Sequence, residues 1–133
     1  MLVGGCQCGA VRYAISAAPL EVYVCHCREC RKQSASAFGI SVIVPKQAFV
    51  ISQGGVRTWS RSTASGGELV CTFCEGCGSR ICHADARENT ISVKGGSLDE
   101  PPDLANAMHI WTSRKLPGVL IPEHAVRFAE EPP

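Results

Sequence analysis

Nine cysteines fall in this chain of 133 residues, and seven of them sit in three tight groups. The groups are Cys6-Gln7-Cys8-Gly9, Cys25-His26-Cys27-Arg28-Glu29-Cys30 and Cys74-Glu75-Gly76-Cys77-Gly78. Cys71 and Cys82 stand apart. An odd count leaves one thiol over in any full disulfide framework. Cysteines two apart on a strand point the same way, yet their spacing and Cβ directions suit a shared metal better than a mutual bond. No basic segment and no apolar stretch precedes Leu2-Val3-Gly4-Gly5-Cys6, so no signal peptide is expected there. The expected compartment is the reducing cytoplasm, where thiols stay reduced unless they bind metal or catalyse.

The last group has the shape of a zinc knuckle. Two residues between the cysteines, with Gly78 after the second, let the backbone turn so that both sulfurs meet one ion. A closed tetrahedral site needs a second pair, and Cys6 and Cys8 supply it, since positions i and i+2 of a strand share a face. Cys6, Cys8, Cys74 and Cys77 are therefore expected around one structural zinc. Such a site contributes binding free energy directly to folding, on the order of 10–16 kcal/mol in zinc-finger peptides.

Cys25, Cys27 and Cys30 remain together, with His26 directed to the opposite face. Three protein ligands without a fourth are the pattern of a reactive zinc with an open position. Four thiolates leave zinc a dianion and three a monoanion, so the three-ligand site is the better Lewis acid. Arg28, Arg31 and Lys32 flank it and are placed either to offset thiolate charge or to be solvated. The competing arrangement is a closed site completed by Cys71, Cys82, His83 or His109; Cys71 and Cys82 also fit as buried free thiols.

The rest of the chain reads as short strands between turn residues. Val11, Tyr13 and Ile15 alternate with Arg12 and Ala14, and further strands are expected at Glu21–Cys25, Phe38–Val44, Ala48–Ser52, Val56–Ser60, Leu69–Phe73, Thr90–Lys94 and Ala107–Trp111. One short helix is expected over Arg28 to Ser34. The expectation is a mainly β fold in a single domain, 1–133, with a loose tail at 129–133. A formal net charge of +1 and 6% aromatic residues offer neither the basic stripe nor the stacking platform of a nucleic-acid binder. No apolar run approaches the roughly 20 residues that span a bilayer.

The motifs Gly4-Gly5-Cys6-Gln7-Cys8-Gly9-Ala10-Val11-Arg12-Tyr13, Cys25-His26-Cys27-Arg28-Glu29-Cys30-Arg31-Lys32 and Phe73-Cys74-Glu75-Gly76-Cys77-Gly78-Ser79 resemble the glutathione-dependent formaldehyde-activating enzyme family, which includes the centromere protein V type of domain. Lys94-Gly95-Gly96-Ser97-Leu98-Asp99 resembles a later element of that family, and His109-Ile110-Trp111 its C-terminal strand. The resemblance runs over roughly residues 3 to 128. It implies an Mss4-like fold of folded β-sheets around a structural zinc, with two zincs per chain: Cys6, Cys8, Cys74 and Cys77 structural, Cys25, Cys27 and Cys30 reactive. It implies a carbon–sulfur lyase reaction that joins glutathione and formaldehyde to S-hydroxymethylglutathione. Cys71, Cys82 and Leu120–Ala125 depart from the family pattern.

An open zinc fits such chemistry, because metal stabilises thiolate and polarises a carbonyl. His26, His83 and His109 are the candidate proton carriers, and Arg61 or Lys94 candidates for a substrate carboxylate. Two other readings stand beside this one. A zinc-stabilised module could bind a protein partner, since fold does not fix function. A thiol redox enzyme, by analogy with B-type methionine sulfoxide reductases, would need Cys71 or Cys82 as its reactive thiol.

Overall fold

The computed structural model describes residues 1–133. Ten strands follow one another as β1 (Leu2–Gly5), β2 (Arg12–Ile15), β3 (Glu21–Cys25), β4 (Gly39–Pro45), β5 (Phe49–Gln53), β6 (Val56–Ser62), β7 (Glu68–Cys74), β8 (Arg80–Asp85), β9 (Thr90–Lys94) and β10 (Met108–Ile110). The one α-helix, α1, spans Arg28–Ser34 between β3 and β4. The fold is mainly β, as expected.

The strands form two sheets. A small one has the order β1-β2-β5, and a larger one runs β10-β3-β4-β9-β8-β7-β6. All neighbours are antiparallel except β10, which lies parallel to β3 with Ile110 opposite Cys25. The alternation that starts at Val11 and runs through β2 sends Val11, Tyr13 and Ile15 inward against Val42, Val44, Ile81 and Val93 of the larger sheet, all fully or almost fully buried. Burying each aliphatic side chain contributes about 1.5–3 kcal/mol. Lys94-Gly95-Gly96-Ser97-Leu98-Asp99 fastens the two sheets together. Ser97 Oγ lies 2.8 Å from the Tyr13 hydroxyl, Asp99 pairs with Arg12, and the Asp99 N–H donates to the Val3 carbonyl. Gly4 has no room for a side chain there, because a Cβ would sit 2.4 Å from the Ser97 carbonyl oxygen.

A second, smaller core gathers Cys25, Cys30 and Ile110, covered by Tyr23, Trp111 and Phe128. The helix in front of it is short because its local signals are strong at both ends. Cys27 caps its N-terminus through sulfur, and Ala35 ends it in the left-handed region at φ 50°.

Three differences from the expected elements have physical causes. β1 is short and half glycine, so it carries no alternation to read; it exists because it pairs with β2. β8 follows directly on the knuckle, and its Cys82 and His83 interrupt the apolar pattern. The tail expected to be loose is tied down as far as Glu131. The N–H groups of Trp111 and Ser113 donate to the carbonyls of Glu130 and Ala129, and Trp111 Nε1–H donates to Glu131 Oε1 at 2.8 Å. Trp111 ends β10 at φ 55°, and the tail takes up backbone donors that no strand satisfies.

Candidate metal centres and active-site cleft

The sulfurs of Cys6, Cys8, Cys74 and Cys77 all lie within 4.8 Å of one another. Cys6 and Cys8 come from the β1–β2 turn, Cys74 from the end of β7 and Cys77 from the turn before β8. Gly9 and Gly78, each just after its pair, take φ of +82° and +80°, a conformation that favours glycine, and so bend the chain back around the sulfurs. Backbone N–H groups point at the sulfurs: Val11 to Cys6 at 3.2 Å, Gly76 and Cys77 to Cys74 at 3.3 and 3.4 Å. The Ser79 hydroxyl, 3.2 Å from Cys77, holds that thiol down to about 5. Four soft donors with N–H support fit a tetrahedral thiophilic metal. Cys74 is buried in the main core, whereas Cys8 and Cys77 lie at the surface.

Cys25, Cys27 and Cys30 form the second cluster, again with sulfurs within 4.8 Å. Cys25 ends β3, Cys27 caps α1, and Cys30 lies one turn into the helix on its buried side. None of Cys71, Cys82, His83 or His109 joins it. The three thiols perturb one another strongly. The neighbouring thiols of Cys25 and Cys30, with the N–H groups of Cys30 and Glu29, hold Cys27 far down. Beside Cys27 and Cys30 the Cys25 thiol is pushed up, and Cys30 rises to about 11. Three convergent sulfurs have the donor chemistry of a thiophilic metal site.

Access is unequal. Cys25 and Cys30 are buried, and only Cys27 lines the large cleft of about 750 Å³ on this face. Arg28 and Glu29 of α1, Arg61 of β6, His83 of β8 and Ser92 of β9 line the same cleft. Arg61 approaches Glu29 at 3.9 Å. Arg31 and Lys32 do not line it.

The three histidines separate clearly. His26 turns away from the cluster, as expected, and its Nε2 lies 2.9 Å from His109 Nδ1, with both rings buried in a stacked pair. His83 alone reaches the cleft, and its Nδ1 accepts from Lys94 Nζ at 2.7 Å. Lys94, a candidate for a substrate carboxylate, is thus engaged with His83, and Arg61 keeps its place in the cleft. Ser92 was not singled out from sequence. It lies opposite His83 in the β8–β9 register, is 94% buried by its 6% exposure, and its hydroxyl has no partner. Of the two lone cysteines, Cys82 is sealed in the main core, and Cys71 lines a recess of about 220 Å³ with His83 and Arg61.

The sequence pattern of the glutathione-dependent formaldehyde-activating enzyme family matches residues 1–114. The chain belongs to this family. All seven clustered cysteines, His83, Ser92 and Lys94 fall within the matched residues. Membership brings a glutathione-dependent, formaldehyde-activating role in general terms. A crystal structure of a Rhodobacter sphaeroides protein shares the fold, with a TM-score of 0.63 over 80% of this chain and 98% of that one, at 20% identity. No helix of the chain is long and apolar enough to cross a membrane.

Proposed function

We propose that this chain is a zinc-dependent enzyme of the carbon–sulfur lyase type, joining glutathione and formaldehyde, or a closely related small thiol and carbonyl, into an S-hydroxymethyl adduct. Cys25, Cys27 and Cys30 hold the reactive zinc, and Cys6, Cys8, Cys74 and Cys77 the structural one. The observation that carries this reading is the incomplete sulfur triplet with one member, Cys27, lining a roomy cleft. Zinc held by these three thiolates would supply an electrophilic centre that favours the thiolate form of a substrate thiol. The chain's own residues do the rest. Cys25 and Cys30 keep the base of the centre dry, and Cys27 marks the side from which substrate enters.

Arg28, Arg61, Arg87 and Arg114 face Glu29, Asp85, Glu88 and Glu131 around this cleft. Mixed charge of that kind suits a zwitterionic thiol with two carboxylates and one ammonium. Reduced cysteines at both centres fit a reducing compartment, which supports a cytoplasmic location.

The test is zinc per chain by elemental analysis, for wild type and Cys27→Ser, with and without glutathione. Zinc K-edge absorption on the same samples counts sulfur ligands. Two zincs falling to one in the variant, with sulfur coordination rising on glutathione addition, is the expected result. A single zinc insensitive to both changes would overturn the reading.

A further inference from the structure

His83 and Lys94 stand between two clefts. His83 lines the large cleft that Cys27 opens on. Lys94 lines a second cleft of about 660 Å³, together with Arg80, Gly95 and Gln33. Their 2.7 Å contact joins the two. An ammonium can only donate, so His83 Nδ1 accepts and the imidazole proton sits on Nε2. Ser92 and Lys94 are two residues apart on β9 and so share a face. Ser92 lies opposite His83 across the sheet and brings a buried hydroxyl that nothing satisfies. Unpartnered buried hydroxyls are uncommon, and this one lines the cleft.

We propose that His83 Nε2–H and the Ser92 hydroxyl together receive the oxygen of the carbonyl substrate, with Lys94 as the proton donor behind His83. The proposal rests on the thiol–aldehyde reading above. As the substrate sulfur bonds to the carbonyl carbon, the C–O π pair moves to oxygen. The Nε2 proton passes to that oxygen while a Lys94 proton passes to Nδ1. The imidazole ends neutral and Lys94 ends as an amine. Lys94 then takes a proton from water in the second cleft, and exchange with water restores the Nε2–H tautomer. The proton released by the substrate thiol balances the one Lys94 recovers.

The electrostatics agree with these roles. Burial and the nearby Lys94, Arg61 and Arg80 lower His83 to about 3, against the opposing charge of Cys27, so it stays a neutral donor at working pH. Burial lowers Lys94 to about 8, with Cys30, Cys71 and Cys25 opposing and Arg80 assisting. That places it near the pH where a proton donor is most useful.

Two measurements decide it. Nitrogen-15 NMR of the imidazoles in the zinc-loaded protein, without substrate, reads the His83 tautomer. Nε2–H in wild type and a shift toward mixed tautomers in Lys94→Met is expected; Nδ1–H in wild type overturns the proposal outright. Carbon-13 exchange NMR then reads glutathione–formaldehyde turnover, with zinc content checked for each variant. His83→Gln and Ser92→Ala should each lower kcat on the order of 100-fold at full zinc content. Wild-type kcat should fall as pH rises through about 8, and Lys94→Met should flatten that limb. If Lys94→Met does not fold, the other two variants still decide. Variants that keep zinc and kcat within about two-fold of an active wild type overturn this proposal alone. A wild type that accelerates nothing overturns the thiol–aldehyde reading and this proposal with it.

Discussion

The backbone N–H of Cys30 donates to the sulfur of Cys27 across 3.3 Å, so one sulfur of the triplet starts the helix that carries another. Metal held by this triplet would therefore be coupled to helix initiation. Cys27→Ala removes both a ligand and a cap, whereas Cys27→Ser removes the ligand and keeps a capping oxygen. Both variants should lose the same zinc. With one zinc per chain kept in each variant, Cys27→Ala should be the less stable by about 1 kcal/mol, read by urea titration. Equal stabilities would show that the cap contributes nothing.

Gly39 lies opposite Cys25 in the β3–β4 register, and a Cβ on it would come 3.1 Å from the Cβ of Cys30. Cys30 is buried and has little freedom to yield. Gly39→Ala should displace that sulfur and weaken the triplet selectively. Under a mild chelator, the variant should retain one zinc per chain where wild type retains two, with the circular dichroism of the sheets unchanged.

An exposed side chain usually tolerates substitution within about 0.5 kcal/mol. Cys8 is exposed, yet its sulfur lies 3.8 Å from that of buried Cys74. Cys8→Ser should break this pattern and abolish cooperative thermal unfolding. A metal contribution on the order of 10 kcal/mol rivals the whole stability of a domain this size. A variant with an unaltered melting transition would show that the four-cysteine centre does not hold the fold.

The lowering of His83 to about 3 ties stability to acid. Between 6.5, its ordinary value, and about 3, the unfolded chain binds a proton on this residue that the folded chain does not. Its contribution to stability is thus complete above that window and declines as pH falls through it. Gln at this position carries no such linkage. The stability difference between wild type and His83→Gln, both zinc-loaded, should shift by about 1.5 kcal/mol toward the variant between pH 6.5 and about 5. A pH-independent difference would contradict the burial of this imidazole.

Cys71 and Cys82 separate thiol–aldehyde chemistry from thiol redox chemistry. Cys82 is sealed in the core, where burial pushes its thiol up. Cys71→Ala and Cys82→Ala should keep both zincs and glutathione–formaldehyde turnover, at a stability cost of about 1 kcal/mol each. Loss of turnover in either, with zinc retained, would favour a redox role.

The cysteine groups were legible in sequence because metal spacing is a local code: i and i+2 on a strand, or two residues and a glycine in a turn, fix where sulfurs point before anything else is known. The assembly of Cys6 and Cys8 with Cys74 and Cys77 follows from ligand counting, and the fold brings these four together. His83 was legible only as one of three histidines. Its pairing with Lys94 and Ser92 depends on the β8–β9 register, and that register is set by tertiary packing rather than by local pattern. β8 carries no clean alternation to read, since Ile81 and Cys82, adjacent in sequence, both belong to the main core. The engagement of the tail is not legible in sequence, because Pro and Glu describe composition while the donors that meet it belong to Trp111 and Ser113.

The two sulfur centres differ in how far along the chain their members lie. Cys25, Cys27 and Cys30 belong to one stretch at the end of β3 and the start of α1, while Cys8 and Cys74 are separated by 66 positions. Closing a long loop costs more chain entropy than closing a short one. During synthesis the triplet emerges whole while β7 and its knuckle have yet to be made. In a chain that loads metal at both centres, the triplet's sulfurs would all be available for capture before the four-sulfur centre can exist.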